Sequence, residues 1–341
     1  MKLGTYDPGS GPRLGLLDND RLVDVTALLG EQRTLRDAQA LLELGPDALD
    51  RVRATLPRAG QAPGVSLASA RLRAPVLRPP TVRDFMIFEE HATGQGSRQQ
   101  HEAWYRMPIF YFSNSLRIFG PDEDVPFPTA SQRLDYELEL GCVIGQEGSD
   151  IKEADAMSYI AGFLIFNDWS CRDIQRDEQQ VGLGPAKGKD SATSLGPWLV
   201  TPDELQPYLR DGQLHVQCTV RVNGEYWLEK GRGGHGGQAQ HTWGSMIERA
   251  SRDSRIVPGD VLGTGTVGGG SIGEAIRKGY AGARFLKPGD VVEIEVEGLG
   301  VLRNRILDKA DPDPNYRYRA AQLPPLPTLG EAKDYVWKPR S

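Results

Sequence analysis

The sequence predicts an α+β fold: a large, sheet-rich domain preceded by a small N-terminal domain of strands and helices (α/β). Three observations carry this. At 341 residues the chain exceeds one small domain and can bury a large core without covalent staples. Its 40 glycines and 24 prolines supply turns for many short strands. Helical spacing is concentrated in residues 34–56, whereas residues 76–310 read mostly as β.

Residues 1–30 read as short strands and turns, with Asp18-Asn19-Asp20 breaking the run from Leu14 to Val25 as a hairpin-like turn. Leu35, Ala38, Leu41, Leu42, Leu49 and Val52 recur at near-helical spacing, and Gly45-Pro46 splits them into two helices. The stretch RAGQAPGVSLASARLRAPVLRPP reads as a linker, so domains are expected at 1–75 and 76–310. Strand signals follow at Leu134–Ile144, Tyr159–Phe166, Leu199–Val200, Leu214–Val222, Glu225–Leu228, Asp260–Gly263 and Asp290–Val296. Asn223-Gly224 between two alternating runs predicts a two-residue hairpin turn. Pro258-Gly259-Asp260 and Pro288-Gly289-Asp290 each launch a strand. Residues 311–341 form a proline-rich tail, either an extended strap or loose.

The net charge of -6 and a pI of about 5.5 disfavour binding to nucleic acid or an anionic membrane surface. Cys142, Cys171 and Cys218 form no CxxC, which fits reduced thiols in a cytoplasm. MKLGTYDPGSG has no apolar core of the signal-peptide kind, and no apolar run is long enough to span a membrane.

The chemistry concentrates in two segments. In Asp135-Tyr136-Glu137-Leu138-Glu139, strand alternation points Glu137 and Glu139 to one face and Tyr136 and Leu138 to the other. Carboxylates about 7 Å apart along a strand can converge on a hard cation such as Mg2+, Mn2+ or Ca2+. A strand with one solvated acidic face has the same pattern. In Asn167-Asp168-Trp169-Ser170-Cys171-Arg172-Asp173-Ile174-Gln175, helical spacing would put Asp168, Arg172 and Gln175 on one face at a strand-to-helix corner. The plainer alternative is an N-cap aspartate with a surface ion pair. The scattered histidines and unpaired cysteines argue against zinc. Gly263-x-Gly265-x-x-Gly268 fits a dinucleotide fingerprint on paper, but no βαβ unit surrounds it, so it reads as a glycine-rich loop approaching a site.

Together these segments resemble the fumarylacetoacetate hydrolase family. LDYELELGCVIG resembles its D-x-E-x-E strand, NDWSCRDIQ its N-D-W-[ST]-x-R-D-x-Q, LGPAKGKDSATSLGPWLV its L-G-P…G-K…T…G-P-W stretch, and PGDVLGTGTVGGGS its P-G-D…T-G-T loop. The resemblance spans about residues 134–300 and is loose over the first 75. It implies a mixed β-roll catalytic domain, a homodimer and a divalent metal, Mg2+ first, with Mn2+ and Ca2+ as alternatives. By the same resemblance Asp84, Glu137, Glu139 and Asp168 fall on metal ligands and His91 on the catalytic base. Glu274 falls on its orienting glutamate, although Glu89 and Glu90 are alternatives in the sequence. Arg172, Gln175 and Lys189 match groups that hold substrate oxygens, and Thr266 and Tyr111 match substrate contacts. Met86 and Gln100 stand where a tyrosine and an arginine are expected.

The activity implied is hydrolysis of a C–C bond in an acylpyruvate or other β-diketo acid, in aromatic catabolism. His91 with Glu274 would activate water, while metal, Lys189, Arg172 and Gln175 stabilise the enolate. The same scaffold would also serve a 2-oxo acid hydratase, a decarboxylase or a sugar-acid dehydratase. A metal-stabilised binding protein without catalysis is the rival from another class. Residues 92–108, polar and glycine-containing, are expected to form a lid.

Overall fold

The structure, a computed structural model, describes residues 1–94, 99–228 and 234–309. The proline-rich tail and the centre of the expected lid lie outside them. Residues 1–309 form one compact unit.

The strands are β1 (Lys2–Tyr6), β2 (Arg13–Asp18), β3 (Arg21–Asp24), β4 (Gly64–Ser66), β5 (Val82–Phe85), β6 (Phe110–Ser113), β7 (Asp124–Pro126) and β8 (Leu138–Ile144). They continue as β9 (Ile160–Asp168), β10 (Thr193–Val200), β11 (Cys218–Val222), β12 (Glu225–Leu228), β13 (Val261–Gly263), β14 (Val291–Val296) and β15 (Gly300–Leu307). A large mixed sheet runs β4-β3-β2-β1-β10-β9-β8-β13-β5-β6, open at both ends, with β13 and β5 parallel. A five-stranded sheet runs β12-β11-β14-β15-β7. The α+β class and mixed sheet architecture follow the sequence reading.

The N-terminal strands are not a separate sheet. Leu3 of β1 pairs with Leu199 of β10, so the first hairpin extends the central sheet. Helices α1 (Ala38–Leu42) and α2 (Ala48–Arg53) flank the Gly45-Pro46 break as expected. Asp37 caps α1 by accepting from Ala40 N at 3.0 Å. Leu41, Leu42 and Val52 bury against Leu3, Leu14, Leu164 and Leu199, a core shared with the central strands.

The central strands β8 and β9 are buried along their whole length. Such strands read as near-continuous apolar runs, and a carboxylate within them stands out. Asn223 and Gly224 both adopt positive φ, 55° and 83°, making the β11–β12 hairpin with the turn the sequence predicts. All three cysteines are free and buried. Among the described residues no helix is long and apolar enough to cross a membrane.

Candidate active site

Three strands of the large sheet, β5, β8 and β9, deliver the acidic groups, with β13 between β5 and β8. Asp84 on β5 faces Gly263 on β13 and Tyr111 on β6 in register. Gly263 faces Gly141 on β8, the strand that carries Glu139, and Asp168 closes β9. The missing side chain at Gly263 matters. A Cβ there would come within 3.0 Å of Glu139 Oε2 and 3.1 Å of Asp84 Oδ1. Glycine leaves that volume to the carboxylates.

Asp84, Glu139 and Asp168 each offer an oxygen, all within 4.8 Å of one another, and all three are buried. Asp84 Oδ1, Glu139 Oε1 and Asp168 Oδ1 have no hydrogen-bond partner among the described residues. Buried polar atoms are almost always paired. One orphaned oxygen from each of three converging carboxylates is the donor set a hard divalent cation takes. Burial pushes the Asp84 and Glu139 carboxyls well above their ordinary range, reinforced by Asp168 beside Asp84 and by Asp84 beside Glu139. Burial also raises Asp168, despite Lys189. Tyr111 Oη lies 2.7 Å from Asp84 Oδ2 and 2.5 Å from Asp168 Oδ2, so its single proton serves one of them at a time.

Glu137 is placed differently from its three predicted partners, Asp84, Glu139 and Asp168. Its carboxylate accepts from Lys189 Nζ at 2.5 Å and pairs with Arg172 Nη2 at 2.7 Å. Burial alone would raise it, but Arg172, Lys189 and His91 outweigh burial and hold it well below the usual carboxylate range. Glu137 therefore lines the same pocket as Glu139 but stands outside the converging triad.

Lys189 is buried, and its ammonium bridges Glu137 Oε2, Asp168 Oδ2 (2.5 Å) and Ser170 Oγ (2.7 Å). Desolvation opposes its charge, but Asp168 and Glu137 prevail and raise it. Helix α4 (Arg172–Val181) starts at Arg172, which donates from Nε to Asp135 Oδ2 at 2.8 Å and from Nη1 to Gln175 Oε1 at 3.0 Å. Asp168 is not on this helix. It pairs with Thr193 at the end of β9, and Ser170-Cys171 pairs with Leu134-Asp135, so the chain stays extended up to Arg172. Arg172 and Gln175 share a face as one helical turn requires; Asp168 reaches the site from the sheet.

His91 sits on a short helix, α3 (Glu89–Ala92). Its Nδ1 is 3.2 Å from Glu274 Oε2 and its Nε2 is 3.7 Å from Glu137 Oε1. The His91 side chain is 19% exposed, so Nε2 can meet a ligand. Glu274 is fully buried on α5 (Ile272–Arg277) and is held by Gly269 N at 3.2 Å and Ser271 Oγ at 3.0 Å. Burial raises its carboxyl, but the His91 contact and these donors prevail and lower it. Glu89 is taken by the Tyr105 hydroxyl, and Glu90 by Lys278 at 3.1 Å, so of the three glutamates it is Glu274 that contacts His91.

Asp84, His91, Tyr111, Glu137, Glu139 and Lys189 line one pocket of about 260 Å³, together with Met86, Ile109, Gln175 and Thr266. Met86 lies in the wall where the resemblance leads one to expect a tyrosine. Gln100 donates to Ala92 O and is not in the wall. Of the expected lid, residues 95–98 are not described; its later part is anchored, with Trp104 buried and its Nε1 donating to Met86 O at 2.8 Å.

Sequence reasoning gave no role to Asp135, Ser170 or Ser271. Asp135 fixes Arg172 and accepts from Ile272 N at 2.8 Å and Gly273 N at 3.1 Å, tying α5 to the site. Ser271-x-x-Glu274 is a capping-box pattern readable in the sequence.

A sheet-borne acidic triad that could hold a metal ion stands beside a histidine paired with a buried glutamate. Residues 81–307 match the family Fumarylacetoacetate (FAA) hydrolase C-terminal, and the chain belongs to the fumarylacetoacetate hydrolase family. It is 34% identical over 304 residues to the mitochondrial oxaloacetate tautomerase FAHD2A of Bos taurus, covering 87% of this chain and 88% of that one. The human FAHD2A tautomerase is 33% identical over 301 residues, with the same shares covered. Among solved structures, 5-carboxymethyl-2-hydroxymuconate delta-isomerase from Mycobacterium smegmatis is 25% identical, with TM-score 0.63, covering 91% of this chain and 100% of that one. A fumarylacetoacetate hydrolase from Exiguobacterium antarcticum, 24% identical with TM-score 0.69 and the same coverage, shares the fold.

Proposed function

We propose that this enzyme enolises a 2-oxo acid, interconverting the keto and enol forms of an oxaloacetate-type substrate. The observation that carries it is a triad of buried carboxylates with orphaned oxygens, two of them in the pocket wall, beside a solvent-reachable histidine held by a buried glutamate. A divalent cation, Mg2+ first, held by Asp84, Glu139 and Asp168, would supply Lewis acidity to the 2-oxo group.

The residues divide the remaining work. Glu274 occupies His91 Nδ1, which leaves Nε2 to the pocket as the proton-transfer atom. His91 removes a proton from the carbon beside the 2-oxo group, and the electron pair moves to the oxo oxygen. The same proton returned to that oxygen completes the enol. The Lys189 ammonium and the Gln175 side chain stand in the pocket wall, where negative charge on oxygen develops. Arg172 holds Glu137 and Gln175 in place from behind. The apolar walls, Phe85, Met86 and Phe110, limit water. The tautomerase names of relatives matched over most of their length support isomerisation as the outcome.

Hydrolysis of an acylpyruvate is the second reading, favoured by the same His91–Glu274 pair, a base-plus-orienter arrangement suited to activating water. The test follows oxaloacetate enol absorbance with Mg2+ against a protein-free Mg2+ blank, with acetylpyruvate cleavage assayed in parallel. Keto–enol equilibration above the blank, lost in His91→Ala, is expected. Acetate and pyruvate from acetylpyruvate, with oxaloacetate equilibrating only at the blank rate, would replace this reading with hydrolysis. Mg2+ binding with no turnover of either would leave a binding protein.

A further inference from the structure

A second cleft, of about 560 Å³, adjoins the pocket and shares His91, Met86, Gln175 and Gln179 with it. Its wall carries four arginines, Arg133, Arg172, Arg176 and Arg277, and no carboxylate among the described residues that line it. Arg172 is neutralised by Asp135 and Glu137. The other three are not. Arg133 and Arg277 have no ion pair among the described residues, and Arg176 has only its exposed chain neighbour Asp177, at 3.8 Å. They come from three separate places: the strand entry before Leu134, the first turns of α4 and the end of α5. Clustered like charges repel, so three guanidiniums with little or no carboxylate pairing around one cleft favour an anion between them. Arg133 also lies over the Phe285 ring, 5.8 Å from its centroid, which orients the guanidinium against an apolar wall formed with Ile276. A cleft in which Met86, Ile276 and Phe285 give apolar contact beside the arginines fits a carbon chain ending in a carboxylate.

We propose that this cleft is a second anion subsite, in which Arg133, Arg176 and Arg277 bind the far carboxylate of a 2-oxo dicarboxylate longer than oxaloacetate. The inference rests on the 2-oxo acid reading of the neighbouring pocket. The substrate's head lies among the acidic triad, Lys189 and His91, and its chain passes His91 and Gln175 into a space about twice as large. Arg133, Arg176 and Arg277 are then specificity determinants with no part in proton transfer.

Equilibrium binding tests this without turnover. Calorimetry on the Mg2+-loaded chain compares 2-oxoadipate with 2-oxohexanoate, which has the same length and head but no far carboxylate. The parent chain should bind 2-oxoadipate about tenfold tighter, the value of one charge-assisted contact. In Arg133→Gln/Arg277→Gln that preference should vanish while 2-oxohexanoate binds as before, which also shows that the variant is folded. Equal affinities in the parent, or a preference that survives the double substitution, would refute the subsite and leave the neighbouring pocket's reading intact. Failure of both acids to bind the parent would refute the 2-oxo acid reading and this inference with it.

Discussion

Glu139→Gln separates the two jobs of the buried triad. In the metal-free protein, Glu139 is a fully buried carboxyl whose proton affinity is raised by burial and by Asp84, Glu137 and Asp168. A carboxyl with a raised folded-state pKa stabilises fully below its unfolded pKa, and that contribution is lost as pH rises through the folded value. Above its unfolded pKa, Glu139 therefore costs stability, since folding must either desolvate the charge or take up a proton. Glutamine keeps the shape and the acceptor for Gly265 N, now 3.0 Å from Glu139 Oε2, and turns the orphaned oxygen into a donor facing the other two carboxylates. For the 309-residue compact unit, unfolding entropy is about 0.65 kcal/mol/K. Each tenfold change in proton affinity is about 1.4 kcal/mol, or about 2 °C. With EDTA, Glu139→Gln should melt at the parent's temperature or a few degrees above it. Mg2+ at about 100 times its Kd should stabilise the parent by about 2.7 kcal/mol, a rise of about 4 °C. In the variant that rise should disappear. Differential scanning fluorimetry at pH 7.5, with EDTA and then Mg2+, reads both effects. A variant several degrees less stable in EDTA, or one that keeps the Mg2+ shift, would refute the assignment of Glu139 as a strained, cation-seeking ligand.

Three further outcomes are expected. Gly263→Ala puts a Cβ against Glu139 Oε2 and Asp84 Oδ1 and should weaken Mg2+ binding about tenfold by calorimetry, with little change in metal-free melting. Glu274→Gln should lower kcat about 100-fold with KM nearly unchanged, because the base loses its charged orienter while the ligand-facing groups stay. The parent should keep Glu274 ionised below the ordinary carboxylate range: its folded pKa is lowered, so its stabilisation is complete above the unfolded pKa and is lost as pH falls through the folded value. Asp290 accepts from Arg284 at 2.7 and 2.9 Å, Asn223 Nδ2 at 2.9 Å and Lys287 N at 2.8 Å; Asp290→Ala should cost about 2–3 kcal/mol, about 3–5 °C in Tm, without changing activity at 25 °C.

Local chemistry was legible in the sequence, and long-range pairing was not. The Asn223-Gly224 turn, the strand Glu225–Leu228 and the split helices around Gly45-Pro46 depend on neighbouring residues alone. The acidic strand was legible in part: Glu139 lies on β8 as its alternation predicts, but Glu137 precedes that strand as an isolated bridge to Ser271. The placement of Asp168 on a helix failed because Ser170-Cys171 is kept extended by Leu134-Asp135, more than 30 positions earlier. The expected boundary near residue 75 fell at a real composition shift, yet β1 pairs with β10 nearly 200 positions on, which no local pattern records. The last strand, Gly300–Leu307, went unread: its inward positions include Asn304, a polar residue that bonds Gly120 O and Glu123 O at 2.9 Å. The arginine cleft escaped for the same reason, since Arg133 and Arg277 meet only in the folded chain.

The site's charge explains why its carboxylates behave in two ways. Asp84, Asp135, Glu137, Glu139 and Asp168 are all buried, and the fixed cations among them are Lys189 and Arg172. Both cations converge on Glu137, which is accordingly held low, while Asp84 and Glu139 are driven well up. Five negative groups against two positive ones cannot all stay ionised out of water. Without a cation, the protein meets the imbalance with protons on the triad; with one, the protons must leave. Metal binding should thus release protons and strengthen as pH rises. The division also gives Glu137 a purpose distinct from ligation. Its pairing with Arg172 and Lys189 fixes two cations beside the triad, with its own Oε1 near His91 Nε2. Glu137→Gln should therefore disturb the positions of Lys189 and Arg172 more than Mg2+ affinity, the reverse of Glu139→Gln. Calorimetric Mg2+ titration of the two variants side by side reads the difference, and equal losses of affinity would place Glu137 back among the ligands.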